Sequence, residues 1–292
     1  MRSAAREICF LTVAVGCAAL TPAPAQEAKP PSPPKEEVAE VTWPEISRVQ
    51  KQKIQRLCRT LKTTKKVERR DKAEAELIAI GSGVAPVLID RLTDFPKNIN
   101  EPIGRVLDRV TRPEHAPLLA ALAADQTVAT RSYVVRRLTS FRLPAMAPVF
   151  RHARKDRDAS VSFLAALGMA SAGDSGSLDE IFERAMTGWK DLAPQLAVAL
   201  PGVRGTAATQ LVLKKMRDGG DIAEVTGLRL LRSLAERSAA GDIAGYLDSE
   251  SHNVKKAAIN ALRVIVDKAP PLEELSVFQA IEMANQWKAR AR

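Results

Sequence analysis

The stretch RRDKAEAELIAIGSGVAPVLIDRLTD, residues 69–94, decides how the rest of the chain is read. An apolar helical run, AEAELIAIG, meets the breakers Gly81-Ser82-Gly83. A second run, carrying Val87 and Leu88, follows and closes at Asp94. Read outward, the same succession returns. Asp94, Asp125, Asp156, Gly188, Asp218 and Asp248 recur at intervals of about 30–32 residues. Seven residues before the first five anchors stand Val87, Leu118, Val149, Ile181 and Leu211. Six before stand Leu88, Leu119, Phe150, Phe182 and Val212. The sixth unit offers Gly241 and Asp242 instead, which implies a slipped register or a shorter helix.

Each unit also carries an earlier apolar helix: IGRVLDRV, SYVVRRLTS, FLAALGMA, PQLAVAL, GLRLLRSLA and AINALRVIV continue the series. Breakers part the two helices, among them Arg112-Pro113, Leu143-Pro144 and Pro201-Gly202. The unit is helix, turn, helix, turn, with helices of roughly 10–14 residues. One such pair cannot bury its apolar faces, whereas stacked pairs can. Composition agrees. The 292 residues are 46% hydrophobic but only 4% aromatic, so alanine and leucine, both good helix formers, dominate.

The stretches 69–94 and SFLAALGMASAGDSGSLDEIFERAM (162–186) resemble HEAT repeats, and the short period resembles the variety associated with bilin lyases. The resemblance covers about 65–290. It implies an all-α superhelix of about seven helical hairpins, and it says little about function.

Gly173-Asp174-Ser175-Gly176-Ser177 looks like the surroundings of the nucleophilic serine in chymotrypsin-like proteases. In the repeat register it falls between the two helices of the fourth unit. Ser177-Leu178-Asp179-Glu180 reads as a capping box, and Thr42-Trp43-Pro44-Glu45 and Thr111-Arg112-Pro113-Glu114 have the same form. A serine protease needs a histidine base oriented by an aspartate, and oxyanion donors. His115, His152 and His252 have no such context and read as surface residues. No catalytic residue is expected.

No metal-ligand spacing and no phosphate-binding glycine loop occurs, so neither metal nor cofactor is expected. Glu273-Glu274 and Asp179-Glu180 read as helix-start carboxylates. Cys58 lies at helical spacing with Ile54, Leu57 and Leu61 and reads as a buried small hydrophobe.

Residues 1–25 read as a secretory signal peptide: Arg2 and Arg6, a largely apolar run from Ile8 to Leu20, then Ala23-Pro24-Ala25. On a rival reading, Ala14-Val15-Gly16-Cys17 is a lipoprotein box and Cys17 is lipidated. Residues 26–41 form a proline-rich linker, 42–64 a basic capping helix, and 65–292 the solenoid. No later segment is apolar enough to span a bilayer. An exported protein, periplasmic or extracellular, is expected.

The charge is uneven. Residues 45–72 hold eleven basic and three acidic side chains, against a net charge of +10 for the whole chain. Arg48, Lys51, Arg56, Arg59, Lys65, Lys66, Arg69 and Arg70 are candidate anion-binding residues for an acidic envelope component. The absence of interleaved aromatics and the expected export argue against nucleic acid. In HEAT-like solenoids the second helix of each pair lines the concave side. The resemblance therefore implies a partner-binding ladder of His152, Arg184 and Lys214, helped by Arg151, Arg154 and Lys215. The resulting expectation is a non-catalytic scaffold that binds a protein partner through its curved helical surface. The alternatives are adhesion through the basic 48–72 segment, or an enzyme on a HEAT-like fold.

Overall fold

The computed structural model describes residues 41–95, 99–217 and 219–291. The expected leader 1–25 with Cys17, the linker up to residue 40 and the anchor Asp218 lie outside the described residues. Fourteen α-helices and no strand occur among the described residues. In order they are α1 (Arg48–Thr63), α2 (Val67–Ile80), α3 (Ala85–Ile89), α4 (Asn100–Val110), α5 (Ala116–Ala120), α6 (Val128–Phe141) and α7 (Ala147–Ala153). There follow α8 (Ala159–Ser171), α9 (Leu178–Ala199), α10 (Thr206–Arg217), α11 (Gly220–Leu234), α12 (Ala240–Ala244), α13 (His252–Ile265) and α14 (Val277–Ala291). The fold is an all-α solenoid of helical hairpins.

The longer first helices carry the stack. Helix α2 packs on α4, α6 on α8, α9 on α11, and α11 on α13, while the second helices α3, α5, α7 and α10 each pack on the helix that follows. The apolar column read six residues before each anchor is the spine of the core: Leu88, Leu119 and Phe150 are fully buried, and Phe182 and Val212 nearly so. Each such side chain contributes about 1.5–3 kcal/mol by leaving water. The neighbouring column is less uniform. Ile181 is buried, Val87, Leu118 and Val149 are half-buried, and Leu211 is exposed. Two buried clusters result, one from Ile54 to Ala165 and one from Phe163 to Trp287, and α8 supplies side chains to both.

Several second helices fall short of the length that the repeat pattern suggests. Helices α3, α5 and α12 have five residues and α7 has seven. The reason is local. The 3-10 turns Ser82–Val84, Pro113–His115 and Pro144–Met146 lead into α3, α5 and α7, each with a proline at its start. Proline suits a first turn because it has no N–H to satisfy. The sixth unit has the shorter helix: α12 passes into a 3-10 turn at Gly245–Asp248, yet buries Ile243 and Leu247 completely. At the fourth-to-fifth boundary there is no loop. Helix α9 is two helical runs that meet at a kink, where Gly188 takes the non-helical φ −123° and ψ 26°, and residues 194–199 of PQLAVAL lie in the second run.

The aspartate anchors tie neighbouring units. Asp94 Oδ1 accepts from the Ala129 backbone N–H at the start of α6 (2.8 Å). Asp125 Oδ1 accepts from Thr127 N–H (2.7 Å), and Asp156 holds Arg131. A strap, residues 41–47, precedes α1. Its Trp43 ring stacks on His115, centroids 4.8 Å apart and planes 10° from parallel.

Candidate functional site

The protease-like stretch is a turn. Gly173 takes φ +96°, a conformation that favours glycine. Asp174 Oδ1 accepts from Gly176 N–H (2.8 Å), opening a 3-10 turn at Ser175–Ser177. The expected capping box does not form. Ser177 is buried with its Oγ 3.9 Å from Met169 Sδ, and Glu180 reaches instead to Arg154 Nη2 (2.5 Å). His152 borders the same open cleft of about 730 Å³ as Asp174 and Ser177, but no hydrogen bond joins it to them.

The other two expected boxes also resolve differently. Thr111 Oγ donates to Leu107 O (2.7 Å), and Arg112 N–H donates to His115 Nδ1 (3.0 Å). In the strap the box is formed by Ser47 and Gln50, at the start of α1. His115 is therefore no surface residue: it is 8% exposed, clasped between the Arg112 backbone and the Trp43 ring. His152 is exposed and His252 half-buried at the start of α13. Cys58 is buried as read from its spacing, and burial pushes its thiol pKa up.

The six candidate ladder residues divide. Arg151, His152 and Arg154 line one cleft on the second-helix side. Arg154 is half-buried, paired with Glu180 and bonded to Ser162 O (3.0 Å). Arg184 lies over the Phe163 ring at 4.7 Å. Lys215 is held by Glu183 (3.3 Å) and Asp179 (3.5 Å), while Lys214 is exposed. Arg154 and Lys215 thus join neighbouring units. Of the candidate anion-binding residues, Arg48, Lys51, Arg56 and Arg59 stand exposed on α1. Lys65 and Lys66 sit in the following link, and Arg69 and the half-buried Arg70 on α2.

The first helices carry their own charge lattice. Arg105 grips Glu74 through two N–H groups (2.6 and 3.1 Å) and Glu101 through a third (2.8 Å). Arg136 grips Asp108 through two (both 3.1 Å), and Arg137 donates to the carbonyls of Asp108 and Thr111. Glu101, Arg105, Asp108 and Arg136 line a cleft of about 840 Å³ between α4, α6 and α8, together with Leu92, Val128 and Leu164. Every arginine there is already matched by an acceptor.

A third cleft, of about 370 Å³, differs and was not foreseen. It opens between α9, α11 and α13. Arg229 and Arg232 stand one turn apart on α11, both half-buried, with their guanidinium carbons 5.2 and 5.8 Å from the centre of the Trp189 ring. Among the described residues neither has a carboxylate within ion-pair distance. Burial lowers the pKa of both, and for Arg232 the nearby Arg229 charge lowers it further. Lys256 of α13 lines the same cleft. A partial signal was available: GLRLLRSLA sets two arginines three apart in a leucine-rich stretch, with no carboxylate four residues before either. Trp189, some forty residues earlier, could not be brought to them by spacing alone.

No family model and no curated protein matches the chain. Among solved structures it is similar to human deoxyhypusine hydroxylase in complex with glycerol, with 16% identity over 83% of this chain and 98% of that one, and a TM-score of 0.34. One expectation is corrected here: the step from stacked hairpins to a non-catalytic protein-binding scaffold does not stand, because a fold of this kind does not by itself decide function. Function has to be argued from the sites themselves.

Proposed function

We propose that the chain is a receptor for an anionic ligand, held in the cleft between α9, α11 and α13. One observation carries this reading: two half-buried guanidinium groups, side by side over Trp189, have no carboxylate to neutralise them among the described residues. Withdrawing a cation from water without a counter-charge is costly, and bringing a second beside it adds repulsion. Elsewhere in this protein arginines in similar settings are matched more fully, as Arg131 is by Asp156 and Arg137 by two carbonyls, whereas Arg232 has only the Arg229 carbonyl at 3.3 Å. An anion in the cleft would supply the missing partner. Guanidinium suits that task, since its planar fork meets two oxygens at once. The leader-like sequence at 1–25 supports placing this binding outside the cytoplasm.

The test is a titration of the full chain with sodium phosphate at constant ionic strength, following Trp189 emission, with Trp189→Phe as the control for signal origin. Saturable change in the parent, lost in Arg229→Gln/Arg232→Gln, supports the reading. A parent that responds no differently from the double variant overturns it.

A further inference from the structure

We infer that the anion this cleft takes is a phosphate monoester carrying a compact apolar body. The inference rests on the anion-receptor reading above and concerns the same walls. The charge balance comes first. Three cations line the cleft, Arg229, Arg232 and Lys256, against one carboxylate, Asp221. That excess of two positive charges matches a phosphate monoester, whose charge near neutrality is between −1.5 and −2. A carboxylate would leave one cation unmatched.

The disposition of the donors points the same way. Thr226, Arg229 and Arg232 follow one another at three-residue spacing along α11, which keeps them on one side of that helix. Asn253 and Lys256, again three apart, project from α13. Thr226 is only 3% exposed, yet it borders the cleft. The donors therefore approach from two walls. A planar carboxylate presents its two oxygens in one plane and is satisfied by one fork. A tetrahedral group has three terminal oxygens pointing different ways and can engage both walls together. Lys256 is preset for this: its Nζ already donates to Glu273 O, which steadies the side chain and leaves further N–H donors.

The remaining lining describes the rest of the ligand. Met186, Ile222, Val225 and Ala257 form the apolar part of the cleft, and Ile222 is 66% exposed. Asn260 offers little, because its amide is spent on both the N–H and the C=O of Leu272. The 370 Å³ of space would hold about a dozen waters at roughly 30 Å³ each, more than a lone phosphate group fills. An ester group against the apolar wall uses that space without leaving polar atoms unsatisfied.

The experiment compares four probes on the full chain: inorganic phosphate, butyl phosphate, butyl sulfate and butyrate, each read by Trp189 emission and by calorimetry. Butyl phosphate should bind at least tenfold more tightly than butyrate, butyl sulfate or inorganic phosphate. Lys256→Gln should weaken butyl phosphate about tenfold and leave butyrate within threefold, a split that a merely structural role for Lys256 would not produce. If butyrate or butyl sulfate binds as tightly as butyl phosphate, the phosphate assignment is wrong while the anion receptor stands. If inorganic phosphate equals butyl phosphate, the apolar body is wrong. If no probe binds, both readings fail.

Discussion

Arg131 and Asp156, twenty-five residues apart in sequence, are joined by a two-point ion pair: Nε to Oδ2 at 2.6 Å and Nη2 to Oδ1 at 2.9 Å. The two side chains are 14% and 9% exposed, so solvent screens them little. Asp156 also accepts the Asp158 N–H, and Arg131 donates to the carbonyls of Asp125 and Gln126. One unit's loop is thereby fastened to the next.

Replacing Asp156 by Asn should cost about 3 kcal/mol at pH 7, because it leaves a poorly solvated guanidinium without its counter-charge. The Arg131 hydrogen bond holds the Asp156 carboxyl below its usual range, against a burial that pushes it up. A carboxylate whose folded pKa is depressed adds stability above its unfolded pKa of about 3.9 and loses it as pH falls through the folded value. Urea unfolding of parent and Asp156→Asn should therefore show a gap that is full at pH 7 and narrows below about pH 4. A gap that does not change with pH would refute this account of the pair.

Gly168 exists to admit Phe150. A Cβ at position 168 would lie 2.3 Å from Phe150 Cδ1, and the ring is fully buried. Gly168→Ala should destabilise by about 2–3 kcal/mol, the cost of overpacking a filled core. Phe150→Leu should relieve part of that, so the double variant should fall short of the sum of the singles by more than about 0.5 kcal/mol. Additive costs would show that the ring is not the obstacle.

Gly83 admits the strap. A Cβ there would meet Ile46 Cγ2 at 2.8 Å and Pro44 O at 2.9 Å, and the strap beyond carries Trp43 to its stack on His115. Gly83→Ala should lift residues 43–46, shift Trp43 emission to the red and raise protease sensitivity around residue 45, while the far helices keep their melting behaviour. Unchanged Trp43 emission would mean that the strap yields without losing the stack.

The chain has two tyrosines, and neither should ionise at the ordinary pH. Burial pushes Tyr133 up to about 12, a rise that its contact with Thr111 opposes, and burial followed by the Glu224 charge raises Tyr246. An acid held neutral by the fold contributes stability below its unfolded pKa of about 10 and loses it as pH rises through the folded value. Absorbance at 295 nm should show less phenolate in the native chain at pH 10.5 than in urea, with Tyr133 still protonated in the native chain. Equal native and unfolded titrations would contradict the burial of Tyr133.

The repeat period was legible because burial enforces it: Leu88, Leu119, Phe150, Phe182 and Val212 occupy equivalent core positions. Lengths were less legible, since Pro86, Pro117 and Pro148 start helices that then stop after one or two turns. One cap was misread within its own window, where Arg112 N–H chose His115 Nδ1 three residues on. The other was misread because the better partner lay outside that window: Glu180 chose Arg154, twenty-six residues away, over Ser177. The unneutralised arginines were hidden for the same reason: Trp189 reaches Arg229 and Arg232 through packing between units, which no local pattern encodes.

Asp174 and Ser175 separate a turn from an active site by experiment. In this structure the Asp174 carboxylate accepts the Gly176 N–H, and its own N–H donates to Met169 O (2.9 Å), so Asp174 holds both sides of the bend. Ser175 only begins the 3-10 turn. Removing the Asp174 side chain should cost about 1 kcal/mol, the usual worth of a capping acceptor, and Asp174→Asn should keep most of it, since an amide oxygen still accepts. Gly173→Ala should cost about 1 kcal/mol or more, because φ +96° strains any residue with a Cβ. Ser175→Ala should leave the melting temperature within about 1 °C, as substitutions away from such features usually do. It should also leave a fluorophosphonate probe as unreactive as in the parent. Labelling of the parent that disappears in Ser175→Ala would make this turn a nucleophile after all.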